Sequence, residues 1–346
     1  TDSTGAGNGT YVTYGVTAGN IATNDVCTGA TSGATCIISS GTPTDTGVIW
    51  QGQCQNQAFS GTGIQCTVAG STSSSTAYKE LTTVAGASFR DNANVQTNAL
   101  RFNTSNGAGI TGTSANTGTI VLSESNSRVS KLQIAATGTG GRALNLNAAS
   151  AKADFVIAEG LYTATSATLG VVISAPTTGI IITNSVIIQR ASGADHIIGT
   201  STGSPNFYNC TIVAPDDLAT APTSVFLSGA SGTVTVQNCG LFAGDSTKAI
   251  AAGSATFNFT TCYSDISGTG GVTQATYSSE FQNVNDATRD YRLVTGAAQK
   301  DTGTTDSTNA ANDIAGTARP SGSAYDVGCW EFVQAASDTL FAQSVM

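Results

Sequence analysis

The sequence predicts an all-β protein wound as a parallel β-helix, a solenoid in which short strands stack around one apolar column. Three observations favour this fold: the chain is poor in charged residues, similar segments recur about every 25 residues, and apolar and polar residues alternate within them. None of these segments contains a convincing helical stripe of about 12 residues. We therefore expect strands and turns throughout a single domain.

The composition is typical of a β-rich chain. The 346 residues are 40% hydrophobic, which is enough for a core, yet only 10% are charged, against about a quarter in ordinary soluble domains. Helical bundles need Glu, Lys, Arg and Leu on their surfaces, whereas Gly, Ser, Thr, Ala and Asn are abundant here. Regular Val, Ile, Phe and Leu segments argue against a disordered chain.

The charge balance disfavours two classes of partner. With a net charge of -9 and only 13 Lys and Arg residues, the chain offers no basic patch that would neutralise a row of phosphates. An acidic membrane surface is disfavoured for the same reason, and no apolar run approaches the roughly 20 residues of a membrane span. We expect neither nucleic acid nor membrane as a partner.

The start of the chain, "TDSTGAGNGTYVTYG", lacks the basic and apolar regions of a signal peptide. Two origins of this amino terminus remain open. Thr1 follows an initiator Met that was removed, which implies synthesis in the cytoplasm without secretion, or it follows a cleaved leader.

A cysteine recurs at the fifth position of three similar segments. These are "NFYNCTIVAP", "TVQNCGLFAG" and "NFTTCYSDIS". Extension towards the amino terminus adds "IITNSVII" and, with a looser fit, "FVIAEGLY" and "VSKLQIAA". In chain order the slot residues are Leu132, Glu159, Ser185, Cys210, Cys239 and Cys262. They recur at somewhat variable intervals of about 25 residues. A unit of this length with two or three short strands is typical of one β-helix coil.

Stacking in a β-helix gives the slot a structural meaning, because equivalent residues of successive coils lie about 4.8 Å apart. Cys and Ser suit an inward-facing slot of medium size, so we interpret Cys210, Cys239, Cys262 and Ser185 as structural residues of one column. Glu159 fits such a slot badly, which means that its register is shifted or that the edge of the column is polar.

Asparagine precedes the slot in three coils. Asn184, Asn209 and Asn238 occupy this position. We expect them to form a partial Asn ladder at a turn.

The first 90 residues lack a clear repeat and contain a second group of cysteines. These are Cys27, Cys36, Cys54 and Cys66. None of the eight cysteines lies two to four residues from another, so the spacing disfavours zinc, and we expect no metal or other cofactor. Disulfides among the four would stabilise an irregular cap, although assembly in a reducing cytoplasm would delay or prevent them.

The C-terminal region carries the most specific motif. It consists of "FQNVNDATRDYRLVTGAAQKDTG" at 281–303 and "NDIAGTARPSGSAYDVGCWEF" at 312–332, and it resembles the closing segment of many right-handed parallel β-helix proteins of pectate-lyase-like type. The residues that match the motif are Asp290, Tyr291, Arg292, Leu293, Asp313, Ile314, Gly316, Arg319, Pro320, Asp326, Val327, Gly328 and Glu331. Where that family usually has Ser-Pro-Ala-Ile-Asp, this chain has "GAAQKDTG". The resemblance implies that the Asp-Tyr-Arg-Leu stretch belongs to the last coil.

Together, repeat and motif predict a right-handed parallel β-helix with an irregular N-terminal cap and a C-terminal closing segment. We expect the cap and first coils at 1–90, the β-helix at 91–290, and the closing segment and tail at 291–346.

The resemblance also implies a function. Proteins with this ending are common in bacteriophage virions, which predicts a non-catalytic decoration or fibre protein on a phage capsid or tail. Expected partners are other virion proteins, further copies in a homotrimer, and a host surface glycan. The protein would be made in the host cytoplasm and reside in the virion. Two alternatives remain: a tail-spike polysaccharide depolymerase, and a secreted bacterial adhesin that is extracellular or at the cell surface.

An enzyme would need a constellation that the sequence offers only in part. The best carboxylate pair is Asp216 and Asp217 in "VAPDDLA", just after a repeat strand. The single histidine, His196, has Asp195 next to it, and adjacent strand residues point to opposite faces. Other groove candidates are Lys152, Asp154, Glu159, Arg190 and Asp245. We therefore expect no enzyme, with Asp216 and Asp217 as the catalytic residues if there is one.

Overall fold

The computed structural model describes residues 27–28, 35–38 and 49–333, apart from 71–72, 92–97, 114–116, 139, 161–168, 174–176, 191–195, 201–202 and 229–231. Regular structure in these residues is almost entirely β, with one turn of 3-10 helix at Thr104–Asn106 and one short helix, α1, at Tyr277–Glu280. The chain is an all-β parallel solenoid, as the repeat predicts.

Three sheets run along the solenoid, and successive coils contribute one strand to each. The first sheet contains β1 (Cys27–Thr28), β2 (Thr35–Ile38), β5 (Cys66–Val68), β8 (Ile120–Leu122), β11 (Arg142–Leu146), β14 (Leu169–Ile173), β17 (His196–Thr200), β20 (Ser224–Ser228) and β23 (Ala249–Gly253). The second contains β3 (Ile49–Cys54), β6 (Tyr78–Thr83), β9 (Arg128–Ser130), β12 (Lys152–Asp154), β15 (Thr177–Thr183), β18 (Gly203–Tyr208), β21 (Thr233–Gln237) and β24 (Thr256–Thr260). The third contains β4 (Ala58–Gly61), β7 (Gly109–Gly112), β10 (Gln133–Ala136), β13 (Ile157–Gly160), β16 (Val186–Gln189), β19 (Thr211–Val213), β22 (Gly240–Phe242), β25 (Cys262–Ser264) and β26 (Val272–Gln274). Apart from the antiparallel pair β1 and β2, neighbouring strands in these sheets are parallel.

The core is a column of inward-pointing side chains, because alternate residues of each strand face the inside. In the second sheet the register stacks one such residue on the next, and all of them are buried: Leu81, Val129, Ala153, Ile182, Phe207 and Val236. The outward residues between them are largely polar, which explains the alternating sequence pattern.

The predicted slot is a real column with one member misplaced. The pairing of Ile157 with Val186 aligns Val156, and not Glu159, with Ser185. The slot therefore contains Leu132, Val156, Ser185, Cys210, Cys239 and Cys262. Glu159 lies three residues later, opposite Ile188, on the outer face of the third sheet. An odd shift turns a strand residue to the other face, which is why a carboxylate fitted the slot badly.

A left-handed backbone residue precedes the slot in each of these coils. The three predicted asparagines stack at this position, and an amide hydrogen bond joins two of them. Asn184, Asn209 and Asn238 have φ of 46°, 52° and 53°, a conformation that Asn tolerates better than most residues. Asn238 Nδ2 donates to Asn209 Oδ1 at 3.3 Å. Lys131, Phe155 and Thr261 repeat the conformation in other coils, so the turn itself and not the amide defines the ladder.

The C-terminal region does not form a last coil. After β26 the chain turns back along the outside of the third sheet, and we call residues 277–332 the flank segment. In it β27 (Phe281–Asn283) and β28 (Asp290–Leu293) form an antiparallel pair separate from the three sheets. The Asp-Tyr-Arg-Leu stretch is therefore β28 on the flank, and the expectation that it belongs to the last coil is wrong.

The outer face of the third sheet explains this arrangement. Many of its outward residues are apolar, which would be unfavourable in water, and these form a second core with the flank segment. The sheet contributes Ile157, Val186, Ile188, Val213, Phe242 and Tyr263. The flank segment contributes Tyr277, Phe281, Val284, Tyr291, Leu293, Ala297, Ile314, Ala315, Val327, Cys329 and Trp330.

Candidate functional site

The predicted carboxylate pair lies beyond the end of β19, beside the flank segment. Asp216 and Asp217 are both exposed. Asp217 Oδ1 accepts a hydrogen bond from the backbone N–H of Asp286 at 2.7 Å, and the N–H of Asp216 donates to the carbonyl of Val284 at 3.2 Å. One carboxylate of the pair thus holds the flank segment, which leaves the Asp216 carboxyl as the exposed catalytic candidate.

The environment of Asp216 has one property of a general acid. Partial burial raises the pKa of Asp216, and the neighbouring charge of Asp217 raises it further. General acid catalysis by a carboxyl requires a shift in this direction. Consecutive residues are nevertheless a poor arrangement for glycoside cleavage, in which two carboxyl groups flank the scissile bond about 5 Å or more apart.

Behind this pair, between the third sheet and the flank segment, lies an ionic cluster that the sequence did not reveal. Glu159 is completely buried and pairs with Arg289, while Arg190 Nη1 lies 3.7 Å from Glu159 Oε1. Arg190 in turn pairs with Asp286, with Nη2 donating to Oδ2 at 2.7 Å. Phe102 N–H donates to Glu159 Oε2 at 2.9 Å.

Burial and pairing set the electrostatics of this cluster. Burial raises the pKa of Glu159, against the opposing charges of Arg289 and Arg190. For Asp286, partial burial acts in the same direction, but the hydrogen bond and charge of Arg190 outweigh it and lower the pKa. The cluster joins two coils of the third sheet to the flank segment, so its chemistry is that of attachment.

The polar residues of the C-terminal motif form a buried network within the flank segment. Asp313 accepts hydrogen bonds from the N–H groups of Ala315 at 2.9 Å and Thr317 at 2.6 Å, while its other oxygen accepts from Glu331 N–H at 2.9 Å. Arg319 donates to the carbonyls of Asp326 and Gly328, each at 2.8 Å, and lies 3.4 Å from Glu331. A buried polar group needs such partners, so the motif has a folding role here.

The thiols of the slot cysteines are buried, and they donate or accept hydrogen bonds within the column. Cys239 Sγ lies 3.4 Å from the N–H of Cys210 and 3.2 Å from the carbonyl of Gln237. Burial raises the pKa of Cys239 well above its usual range and that of Cys262 to about 12. A thiol that stays protonated is a poor nucleophile and a poor metal ligand, which supports the structural interpretation.

The structure describes the side chains of two of the four N-terminal cysteines, Cys54 and Cys66. Both are buried, and no disulfide joins them to each other. Cys27 and Cys36 occupy opposite positions of β1 and β2, and Cys36 also aligns with Cys66. The side chains of Cys27 and Cys36 lie outside the described part of the chain.

The other sequence candidates do not converge on Asp216. His196 begins β17 in the first sheet and is buried, whereas Asp195 lies outside the described residues. Lys152 and Asp154 lie on β12 in the second sheet. Asp245 pairs with Lys248 at 3.5 Å after β22. Of the groove candidates, Glu159 and Arg190 are brought near the pair.

Two surface clefts lie elsewhere. One of roughly 600 Å³ is lined by Gln282, Arg292, Leu293, Thr317, Trp330, Phe332 and Val333 on the outside of the flank segment. Another of roughly 290 Å³ is polar and is lined by residues of β3, β6 and the following loop, among them Gln51, Glu80 and Asp91.

The described residues contain neither a metal-binding cluster nor a membrane-spanning helix. No group of three or more His, Cys, Asp or Glu residues among them is placed to hold a metal ion. Within the same part of the chain, no helix is long and apolar enough to cross a membrane.

Comparisons with known proteins give one structural likeness. The crystal structure of pectate lyase Pel9A aligns over 87% of this chain and 86% of that chain, with a TM-score of 0.40 and 14% sequence identity. No protein-family model matches the sequence, and a search of the curated proteins found no match.

Proposed function

We propose that this chain is a non-catalytic structural protein of a bacteriophage virion, a β-helical decoration or fibre protein on the capsid or tail. Its partners would be other virion proteins, with further copies in a homotrimer and a host surface glycan as additional contacts. The chain would be made in the host cytoplasm and function in the assembled particle.

The proposal that the protein is non-catalytic rests on the contacts that the charged residues beside Asp216 and Asp217 make. Asp217 accepts a backbone hydrogen bond from the flank segment, and Glu159, Arg190, Asp286 and Arg289 pair with one another. These groups bind the flank segment to the third sheet. A polysaccharide-cleaving groove would instead need them directed at a substrate.

The virion part has other support. The sequence ending resembles that of β-helix proteins common in phage particles, and the low charge content suits a surface built from hydroxyl and amide groups. Long parallel sheets, with every coil bonded to the next, give a stiff rod.

Quantitative mass spectrometry of purified phage particles tests this proposal. We expect a fixed copy number per particle that survives high-salt washing. A chain that is absent from washed particles and recovered only in solution would contradict the virion role.

A tail-spike depolymerase is the second candidate, and the exposure of the adjacent Asp216 and Asp217 side chains favours it. The matched assay compares reducing-end release from capsular polysaccharide or lipopolysaccharide by the wild type and the Asp216→Asn/Asp217→Asn variant. Release by the wild type that is lost in the variant would replace the first proposal with this one. A secreted adhesin, the third candidate, would be recovered from the cell surface and not from particles.

A further inference from the structure

Within the described residues, no strand continues the first and second sheets beyond the C-terminal end of the β-helix. We call residues 249–274, which comprise β23, β24, β25, β26 and their connections, the end surface. β23 pairs with β20 and β24 with β21, and no other described strand pairs with either. The backbone N–H and C=O groups on their far edges are therefore available to another strand.

The core is also exposed at this end. Phe257 and Phe259 occupy the inward positions that Val234 and Val236 occupy one coil earlier. Val234 and Val236 are fully buried, whereas both phenylalanines are half-buried. Their rings stack at a centroid distance of 5.7 Å and an interplanar angle of 7°, so they present a flat apolar surface beyond the last coil.

The connection between β25 and β26 covers part of this end. Ile266 is buried in the core, and Gly271, with φ of 77°, lies so close to Phe259 that a Cβ there would meet its carbonyl oxygen. The far edge of β23 and the first residues of β24 stay clear of this contact.

The end surface lacks the protection that edge strands normally have. Natural sheets discourage edge pairing with charged side chains, prolines or bulges. Within 249–274 the sequence "AIAAGSATFNFTTCYSDISGTGGVTQ" contains no proline and a single ionisable charge, Asp265, whose side chain is buried. The chain as a whole carries a net charge of -9, so two copies repel each other over most of their surfaces but not at this end.

We propose that the end surface is a self-association site, at which two copies of the chain meet end to end and cover each other's open core and the free edges of β23. The contact uses the same patch on both copies, which gives a closed dimer with two-fold symmetry. A second copy suits this site better than a charged partner, because the surface is neutral and its exposed groups are self-compatible.

Single lysines test the proposal, because a lysine on an edge strand opposes pairing. Asn258→Lys in β24 and Ala252→Lys in β23 place the charge on the last coil. Thr235→Lys is the matched control, since Thr235 is the register partner of Asn258 one coil earlier; Thr235 is half-buried, whereas Asn258 is exposed. Far-ultraviolet circular dichroism and thermal unfolding of all three variants verify that the fold is retained.

The readout is the mass in solution, by sedimentation or light scattering over about a hundredfold range of concentration. We expect the full-length wild type and Thr235→Lys to approach twice the mass of Asn258→Lys and Ala252→Lys, whether the unit that associates is one chain of 34.6 kDa or the proposed homotrimer. A wild type with the same mass as the two end variants at every concentration would overturn the proposal. A dimer that persists in both end variants would overturn it as well, because the contact would then lie elsewhere.

Discussion

The carboxylate of Asp217 accepts a hydrogen bond from the backbone N–H of Asp286, 69 residues further along the chain, at 2.7 Å. This contact joins the end of β19 to the flank segment and gives one member of the apparent acidic pair a structural role. Asp216, its neighbour, makes its contact to the flank segment through the backbone, whose N–H donates to Val284. The two adjacent carboxylates are therefore expected to differ in their effect on stability.

Replacing the two aspartates one at a time separates these roles. Asp217→Ala leaves the Asp286 N–H without its acceptor and should lower the free energy of unfolding by about 1 kcal/mol. Asp216→Ala removes an exposed side chain and should change it by less than about 0.5 kcal/mol. Denaturant unfolding gives the stabilities, and hydrogen exchange at the Asp286 amide gives the local effect. Equal losses in the two variants would contradict the assignment.

The sequence predicted the slot because stacked coils place equivalent residues in the same surroundings. Cys210, Cys239 and Cys262 are recognisable because each follows a left-handed turn residue and precedes or begins a buried strand. The slot position of Glu159 was wrong because the mostly apolar stretch "FVIAEGLY" can be aligned with the other coils in more than one register. Only the pairing of the strands decides between these registers.

Glu159→Gln tests the ionic cluster that the sequence did not reveal. The substitution keeps the side-chain size but leaves the buried Arg289 guanidinium without its counter-charge, which should cost about 3–5 kcal/mol of unfolding free energy. Asp245→Asn is the control, because its partner Lys248 is partly exposed, and such pairs contribute about 0.5 kcal/mol. If the two variants unfolded at the same denaturant concentration, the cluster would not hold the flank segment.

This cluster could not be predicted from local sequence. Arg289 lies 130 residues from Glu159 and Asp286 lies 96 residues from Arg190, so only the path of the flank segment brings them together. The closing motif was visible in the sequence, but its placement on the third sheet follows from the apolar outer face there, which includes Val186, Ile188 and Phe242.

Thiol labelling tests the slot directly. Cys239, Cys262 and Cys329 are fully buried, and burial raises the pKa of each. Iodoacetamide at neutral pH should therefore modify them only after unfolding, because the thiolate is the reactive form. Site-resolved mass spectrometry of native and denatured protein measures this. Rapid native labelling of Cys239 or Cys262 would contradict the buried column, and rapid native labelling of Cys329 would contradict the packing of the flank segment on the third sheet.

Stability should rise as the solution is acidified from neutral pH towards about pH 5. Burial raises the pKa of several carboxyls above their unfolded values, namely Asp154, Asp265, Asp313, Asp326 and Glu331. A group of this kind contributes stability that is present below its unfolded pKa and is lost as pH rises through the folded pKa. Asp286, whose pKa is lowered, acts in the opposite direction.

Denaturant unfolding at a series of pH values measures this dependence. Asp265→Asn removes one of the raised groups and should make the dependence shallower, because the amide keeps the side-chain size but does not titrate. A free energy of unfolding that fell steadily from neutral to about pH 5 would show that the ion pairs outweigh burial.

The central claim, that this chain is a structural component of a phage particle, is tested most directly by cryo-electron microscopy of the native particle. The account predicts rod-shaped density that fits the three-sheet β-helix at fixed, symmetry-related positions on the capsid or tail. A particle without such density, together with free chain that cleaves polysaccharide, would contradict it.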